Sequence, residues 1–227
     1  MDYKKQAAIE AAKLVQKNQV IGLGAGNTIA FLAEAIATDA ALAGTTQFVS
    51  SSSETLERLN GLNLTTRDAS AFAALDIYFD GCDQVDQDLN ALKSGAGIHS
   101  DEKTFASMAK RFVIVGDESK LSETLDTTYP FVLEIHPSAI TSLSDELKTT
   151  FNIAEITLRK DASGKALKTS RGCLLIDVKL NELPELYLLN EVKLWPGVID
   201  HSLFYDIVTD AILCGPAGIQ QLSKTYL

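Results

Sequence analysis

The sequence has few cysteines, and their spacing does not indicate a site. The 227 residues include three of them, far apart and without a Cys-x-x-Cys pair. They are Cys82, Cys173 and Cys214. A scattered, odd-numbered set argues against a disulfide framework and against a zinc cluster, and the three histidines also lack the spacing of metal ligands. We therefore expect no bound metal and a reducing compartment, the cytoplasm.

Long apolar runs and an excess of positive charge are also missing. No segment approaches the length of a membrane span, and the N-terminal residues lead into a helical pattern rather than an apolar signal core. The 20 Lys and Arg residues are outnumbered by 30 Asp and Glu, which gives a net charge of -10. An acidic chain repels phosphate backbones, so neither nucleic acid nor a membrane is an expected partner. An anionic ligand would need a locally positive pocket.

The composition that remains is that of a globular protein, with 46% hydrophobic and 22% charged residues. In the first half, short apolar runs alternate with helical periodicity, which is typical of a parallel sheet covered by helices. The predicted strands are 20–23, 47–49, 74–79 and 112–115, and the predicted helices are 3–17, 28–37 and 101–110.

The pattern changes after about Pro130, where hairpin signals such as Asp161-Ala-Ser-Gly164 indicate a smaller α+β unit. The predicted strands of this unit are 131–135, 153–160 and 173–178, and its predicted helices are 138–151 and 183–193. At the C-terminal end, residues 207–213 predict a strand and residues 218–223 a helix.

Two segments that follow predicted strands could bind a phosphate group. In Gly24-Ala25-Gly26-Asn27-Thr28, glycines would let the backbone approach an anion at the start of a helix, although a plain tight turn fits equally well. Four serines at 50–53 could hold sugar or phosphate oxygens, or could cap a helix, since Ser51 and Glu54 have the spacing of a capping box.

The densest chemistry lies between residues 80 and 103. Asp80 and Asp83 follow an apolar strand, and Lys93 and Glu102 flank a glycine-rich turn. Carboxylates and one cation around a flexible loop are suited to moving protons on a small polar molecule. Ordinary surface loops also carry charges, so these residue types alone leave the assignment open.

This block resembles the type A ribose-5-phosphate isomerases, whose pattern is roughly D-G-A-D-E, K-G-G-G and R-E-K at this spacing. The resemblance implies an α/β fold, in which a Rossmann-like parallel-sheet domain carries a smaller α+β (ferredoxin-like) domain. The implied division is 1–127 plus 201–227 for the first domain and 128–200 for the second. It also implies interconversion of ribose 5-phosphate and ribulose 5-phosphate through an enediolate, with no cofactor.

The resemblance assigns a role to each charged residue of the block. Glu102 matches the base that moves the proton between C1 and C2, and Lys93 matches the lysine that faces the developing oxyanion. Asp80 and Asp83 match the aspartates that contact sugar hydroxyls and assist ring opening.

The same resemblance implies a substrate-binding set and a homo-oligomer, either a dimer or a tetramer. The implied substrate- and phosphate-binding residues are Gly24, Ala25, Gly26, Asn27, Thr28, Ser51, Ser52, Gly95, Gly97 and Lys120.

Several positions depart from the family pattern. Ala25 and Asn27 replace hydroxyl residues of the phosphate loop, Gln84 stands where Glu is common, and Ser94 and Ala96 replace glycines. These changes keep two alternatives open, namely a non-catalytic phosphosugar-binding protein and an isomerase for another sugar phosphate.

Two further residues in the block have more than one interpretation. Cys82 could be a nucleophile, but a small-residue role is the prediction because the family usually has Ala there. His99 could be a proton shuttle, but an exposed loop histidine is the prediction.

Overall fold

The computed structural model describes residues 2–224. In these residues the α-helices, in chain order, are α1 (Tyr3–Ala12), α2 (Asn27–Ala37), α3 (Ala40–Ala43), α4 (Ser53–Gly61), α5 (His99–Met108), α6 (Ile140–Thr150) and α7 (Leu186–Glu191). The strands are β1 (Val20–Leu23), β2 (Gln47–Ser50), β3 (Thr65–Thr66), β4 (Leu75–Asp80), β5 (Gln84–Val85), β6 (Ala91–Leu92), β7 (Ala109–Asp117), β8 (Phe131–Ile135), β9 (Ile153–Leu158), β10 (Leu174–Leu180), β11 (Val198–His201), β12 (Leu203–Phe204), β13 (Asp210–Gly215) and β14 (Gly218–Ser223).

The largest sheet has the strand order β14-β13-β7-β4-β1-β2-β3. Every neighbouring pair is parallel except β13 and β14, which are antiparallel. The prediction of a C-terminal helix at 218–223 is therefore wrong. This segment turns back at Gly218, whose φ is +108°, and pairs with β13 from Gly215 to Asp210. A two-residue connection can join antiparallel strands but leaves no room for a helical crossover.

Both faces of this sheet are covered. On one face, alternate residues of the central strands pack against α1, α2 and α4, and this core includes Ile21, Phe79 and Val113. On the other face, Tyr78 and Phe112 pack against α5 and against a three-stranded sheet with the order β12-β6-β5. Burial on both faces explains the uninterrupted apolar stretches 20–23 and 112–115 of the central strands.

A separate antiparallel sheet has the order β11-β8-β10-β9. Its inner face packs with α6 and α7 around a core that includes Leu133, Ile176 and Leu143. The predicted α/β fold class, a Rossmann-like sheet with a smaller α+β unit, is confirmed. The exact domain boundaries stay a prediction.

In residues 2–224, no helix has the length and apolar character needed to cross a lipid bilayer.

The domain division can be tested by hydrogen exchange in two matched core variants. Ile176 and Ile29 are both fully buried, the first in the smaller sheet and the second under the larger one. Ile→Ala in a core costs about 2–5 kcal/mol. We expect Ile176→Ala to weaken amide protection mainly in β8–β10, and Ile29→Ala mainly in β1 and β4. Equal loss across both sheets in both variants would contradict the division.

Candidate active site

The strongest candidate site is a cavity of about 390 Å³ at the carboxyl ends of the parallel strands β1, β4 and β7. This is the edge at which open α/β sheets bind ligands. The sequence-predicted residues that line it are Ala25, Gly26, Asn27, Thr28, Asp83, Lys93, Gly95, Glu102 and Lys120. The other lining residues are Lys4, Glu54, Gly81, Cys82, Ala96, Val115, Gly116 and Asp117.

A buried ion cluster lies at one side of the cavity. Lys93 Nζ is 2.9 Å from Asp80 Oδ2 and 3.4 Å from Glu102 Oε1, and it donates to the carbonyl oxygen of Gly81 at 2.6 Å. At most 7% of any of the three charged side chains is exposed. Asp80 ends β4, Lys93 follows β6, and Glu102 lies in the first turn of α5. The three residues span 22 positions of the sequence, from 80 to 102, and the fold brings them together from a strand, a loop and a helix.

Asp80 is held from several sides and does not itself line the cavity. Its carboxylate accepts hydrogen bonds from Tyr78 Oη at 2.7 Å and from the backbone N–H of Gly81 at 2.8 Å and Ala25 at 3.3 Å. Gly24 allows this close approach, because a Cβ there would lie 2.0 Å from Asp80 Cγ. The structural use of Gly24 is therefore to make space for Asp80.

The cluster sets the protonation of its members. Burial raises the pKa of Glu102 well above its ordinary value and the neighbouring Asp80 raises it further, while Lys93 opposes the shift. Burial lowers the pKa of Lys93, but Asp80 and Glu102 together outweigh burial, so its net pKa lies above the ordinary value. Lys93 is consequently a fixed cation, and Glu102 is the group poised to exchange a proton.

The loop after Lys93 is fastened to the smaller sheet. Ser94 donates from its N–H to Asp83 Oδ2 at 2.5 Å and from its hydroxyl to the carbonyl of Pro130 at 2.6 Å. Arg159, which is oriented by Asp177 at 2.7 Å, donates to the carbonyl oxygens of Ser94 and Gly95. Ser94 thus restrains a loop that would be more flexible with glycine at this position. Arg159 was not predicted from the sequence because it lies 64 residues from Gly95.

Gly97 has a conformational reason to be glycine. Its φ is +72°, and a Cβ there would lie 2.4 Å from Leu175 Cδ1. It does not line the cavity. Its predicted contact with substrate stays a prediction.

Two lysines and a helix N-terminus lie on another side of the cavity, together with the carboxylates of Glu54 and Asp117. Lys120 follows β7, and Lys4 projects from the first turn of α1, with its Nζ 3.9 Å from Asp117 Oδ2. The N-terminus of α2 lies here too, with Gly26 at φ +94° and no capping side chain among residues 2–224. Free N–H groups at a helix start favour an anion. Lys4 was missed in the sequence because a helical lysine carries no local signal of a site.

Comparisons with known proteins identify the family of this chain. Residues 47–218 match the sequence profile of ribose 5-phosphate isomerase A (phosphoriboisomerase A). The chain is 32% identical to the ribose-5-phosphate isomerase A of Desulfatibacillum aliphaticivorans over 96% of both chains. The chain belongs to the ribose 5-phosphate isomerase A family.

Solved structures of the family superpose over nearly the full length. The ribose 5-phosphate isomerase A of Methanocaldococcus jannaschii has a TM-score of 0.89 at 28% identity, with 98% of each chain covered. A D-ribose-5-phosphate isomerase in complex with phospho-erythronic acid has a TM-score of 0.90 at 28% identity, again with 98% of each chain covered.

Two predicted serines of this isomerase-family chain do not line the cavity. Ser52 is the N-cap of α4 and accepts from the N–H of Thr55 at 3.2 Å, so the capping residue is Ser52 rather than the predicted Ser51. The hydroxyl of Ser51 is buried without a partner among the described residues. A direct role of either serine in substrate binding stays a prediction.

The departure at Gln84 has a structural explanation. Its side-chain oxygen accepts from the backbone N–H of Asp126 at 3.0 Å, and the side chain is buried away from the cavity. A neutral amide makes this bond without adding a buried carboxylate next to Asp83 in the chain. The substitution therefore leaves the cluster of Asp80, Lys93 and Glu102 in this chain undisturbed.

Two sequence interpretations are resolved by burial. His99 is not an exposed loop residue, because it begins α5 and is fully buried. Burial lowers its pKa to about 3, so it is a neutral core residue near neutral pH. Burial raises the pKa of the Cys82 thiol to about 12, which argues against a nucleophilic thiolate and agrees with the predicted small-residue role.

The close approach at Gly24 can be tested by adding one methyl group. We expect Gly24→Ala to lower the free energy of unfolding by about 1–3 kcal/mol, because the new Cβ overlaps the buried Asp80 carboxylate. Gly61→Ala is the matched control, since Gly61 ends α4 with no atom within 4 Å of an added Cβ. Urea denaturation gives both values. Equal stability of the two variants would contradict the packing argument.

Proposed function

We propose that this chain interconverts ribose 5-phosphate and ribulose 5-phosphate through an enediolate. The observation that carries the proposal is the buried carboxylate of Glu102 facing the buried cation of Lys93 at 3.4 Å, inside a cavity that also has an anion-favouring corner. Membership of the ribose 5-phosphate isomerase A family supports it. So does the relative that holds phospho-erythronic acid, a phosphorylated sugar acid with one carbon fewer than the proposed substrate.

Glu102 is the proposed base. Isomerisation removes a proton from the carbon beside a carbonyl and returns one to the neighbouring carbon, so one carboxylate can serve both steps. A carboxyl group of ordinary pKa, about 4.3, is a weak base at neutral pH. Burial and the nearby Asp80 raise the pKa of Glu102, which makes the carboxylate a better proton acceptor.

Lys93 is the proposed stabiliser of the enediolate. Negative charge develops on the substrate oxygens as the proton leaves, and a fixed cation in a site of low dielectric constant opposes that charge most effectively. Asp80 and the carbonyl of Gly81 hold the ammonium group in place. We assign Asp83, which lines the cavity, to the sugar hydroxyls and to ring opening.

The phosphate group is proposed to bind at the corner formed by Lys4, Lys120 and the N-terminus of α2. Two lysines and free backbone N–H groups can donate to a phosphate here in a chain of net charge -10. Asp117, 3.9 Å from Lys4, and Glu54 offset part of that positive charge. Ala25 removes one hydroxyl donor from this corner, at a cost of about 0.5–1.5 kcal/mol for one neutral hydrogen bond. Backbone N–H groups and both lysines remain, so binding is weakened rather than lost.

A non-catalytic sugar-phosphate-binding protein is the alternative. Binding alone does not require a buried carboxylate of raised pKa beside a buried lysine, because such a group carries a desolvation cost. The arrangement therefore favours the isomerase.

The role of Glu102 is tested by turnover of ribose 5-phosphate in chelator-treated protein. We expect wild-type protein to convert the substrate and Glu102→Gln to lose at least about a hundredfold in kcat, since general-base catalysis contributes about 10²–10⁴. Glu123→Gln, on an exposed residue outside the cavity, is the control and should keep wild-type kcat. An inert wild type that still binds the substrate would support the binding protein, and turnover of a six-carbon sugar phosphate instead would support a different isomerase.

The pH dependence gives a second check on the same base. Glu102 must be deprotonated to act, so kcat/KM should fall as the pH drops through its raised pKa. The acidic limb is therefore expected above pH 4.3, the ordinary value for Glu. A limb at or below that value would contradict the assignment.

We also propose that the chain forms a homo-oligomer, a dimer or a tetramer, and acts in the cytoplasm. Exposed apolar side chains on α7, the following turn and β11 support self-association: Tyr187, Leu188, Leu194 and Ile199. Light scattering over a range of protein concentrations should give a multiple of the 24.5 kDa chain mass. A monomer at every concentration would contradict the oligomer, and cell fractionation tests the compartment.

A further inference from the structure

Lys103, the residue after the proposed base, points away from the cavity and into the protein. Its ammonium group donates to Asp200 Oδ1 at 2.5 Å and to the carbonyl oxygen of His201 at 2.7 Å. Only 16% of the side chain is exposed. Both partners lie at the end of β11, so Lys103 ties α5 to that strand.

The segment that receives Lys103 also holds Lys93. The carbonyl oxygen of Ser202 accepts from the backbone N–H of Lys93 at 3.0 Å, and Leu203 pairs with Leu92. The ring of Phe204 lies 5.7 Å from Lys93 Nζ and 5.2 Å from Lys103 Nζ. Residues 200–204, which we name the bridging segment, therefore contact both helix α5 and the loop of Lys93.

We propose that Lys103 is a positioning residue that anchors α5 to the bridging segment and thereby fixes Glu102 against Lys93. The inference rests on the proposed function for its catalytic consequence. Glu102 and Lys103 are consecutive residues of one helix. The rotation of the helix that brings Lys103 to its hydrogen-bond partners therefore also fixes the direction in which Glu102 points. Because the bridging segment also holds the backbone of Lys93, one piece of chain sets both ends of the 3.4 Å contact.

The choice of residue argues for positioning rather than simple packing. A buried ammonium group is costly unless it is paired, and an apolar side chain of similar size would often pack as well. The groups around Lys103 are Asp200, His201, His99, Lys193 and the Phe204 ring. Burial lowers the pKa of both histidines, so they stay neutral near neutral pH. Burial lowers the pKa of Lys103 to about 8 against the opposing effect of Asp200, so Lys103 is still mainly charged at neutral pH. Asp200 is thus the counter-ion of Lys103 within the described residues. Their hydrogen bond fixes the orientation of the two side chains, which an apolar contact would not do.

The test compares Lys103→Met with Lys110→Met. Lys110 makes a Lys–Asp pair of similar length with Asp76, at 2.8 Å, but its side chain is 70% exposed. We expect Lys103→Met to lower kcat by about tenfold to a hundredfold, as misplacement by about 1 Å can. KM should change little, because Lys4 and Lys120 are untouched. Lys110→Met should keep both constants.

A second variant covers the case in which Lys103→Met does not fold. Asp200→Asn keeps the shape of the partner and removes its charge, so a smaller fall in kcat is expected. In the double variant the two effects should not add, since both remove one interaction. A kcat within about twofold of wild type in either folded single variant, or strict additivity, would overturn the proposal.

A titration separates this proposal from the proposed function. In ¹³C-labelled protein, with Glu102→Gln to assign the signal, the pKa of Glu102 should differ between wild type and Lys103→Met and be unchanged in Lys110→Met. This readout needs no turnover, so an inert wild type would overturn the isomerase while the titration still decides the positioning role. An unchanged pKa of Glu102 in Lys103→Met would overturn that role.

Discussion

The buried contact of Lys93 with Asp80 and Glu102 is the constraint on which the rest of this structure depends. A cation and two carboxylates that are almost fully buried can coexist only if each is paired and hydrogen-bonded. The surrounding residues meet that requirement for two of the three: Tyr78 and the N–H groups of Gly81 and Ala25 satisfy Asp80, and the carbonyl of Gly81 completes Lys93. Glu102 is paired with Lys93 at 3.4 Å. The lack of a side chain at Gly24 leaves the space in which they meet.

The cluster also explains why two sheets are joined at one site. The larger sheet supplies Asp80, but the loop after Lys93 is fastened by Arg159 and by the carbonyl of Pro130, which belong to the region of the smaller sheet. The bridging segment then connects Lys93 with the back of α5. Residues of the smaller sheet and of the bridging segment thus contact the segments that carry Lys93 and Glu102, and precise placement of acid–base groups is a requirement for efficient proton transfer.

Some features followed from the sequence because their signals are local. The strand that ends at Asp80, the glycine turn before α2 and the glycine-rich loop with its charged residues each show their signal within a short stretch of consecutive residues. The strand β14 did not, because a six-residue segment can be helix or strand and only its pairing with β13 decides. His99 was misplaced for a similar reason: a histidine among polar residues gives no local sign that a helix will bury it.

The sequence by itself determined the α/β fold class, the family resemblance and the identity of the charged groups, because those depend on residue type, order and short-range periodicity. The tertiary structure decided which charges meet, which are buried and which residues support them from far away in the chain. Lys4, Arg159 and the pairing of Lys103 with Asp200, 97 residues apart, could not be read from spacing. The physical reason is that desolvation and hydrogen-bond geometry depend on contacts between distant segments, which exist only once the sheets have packed.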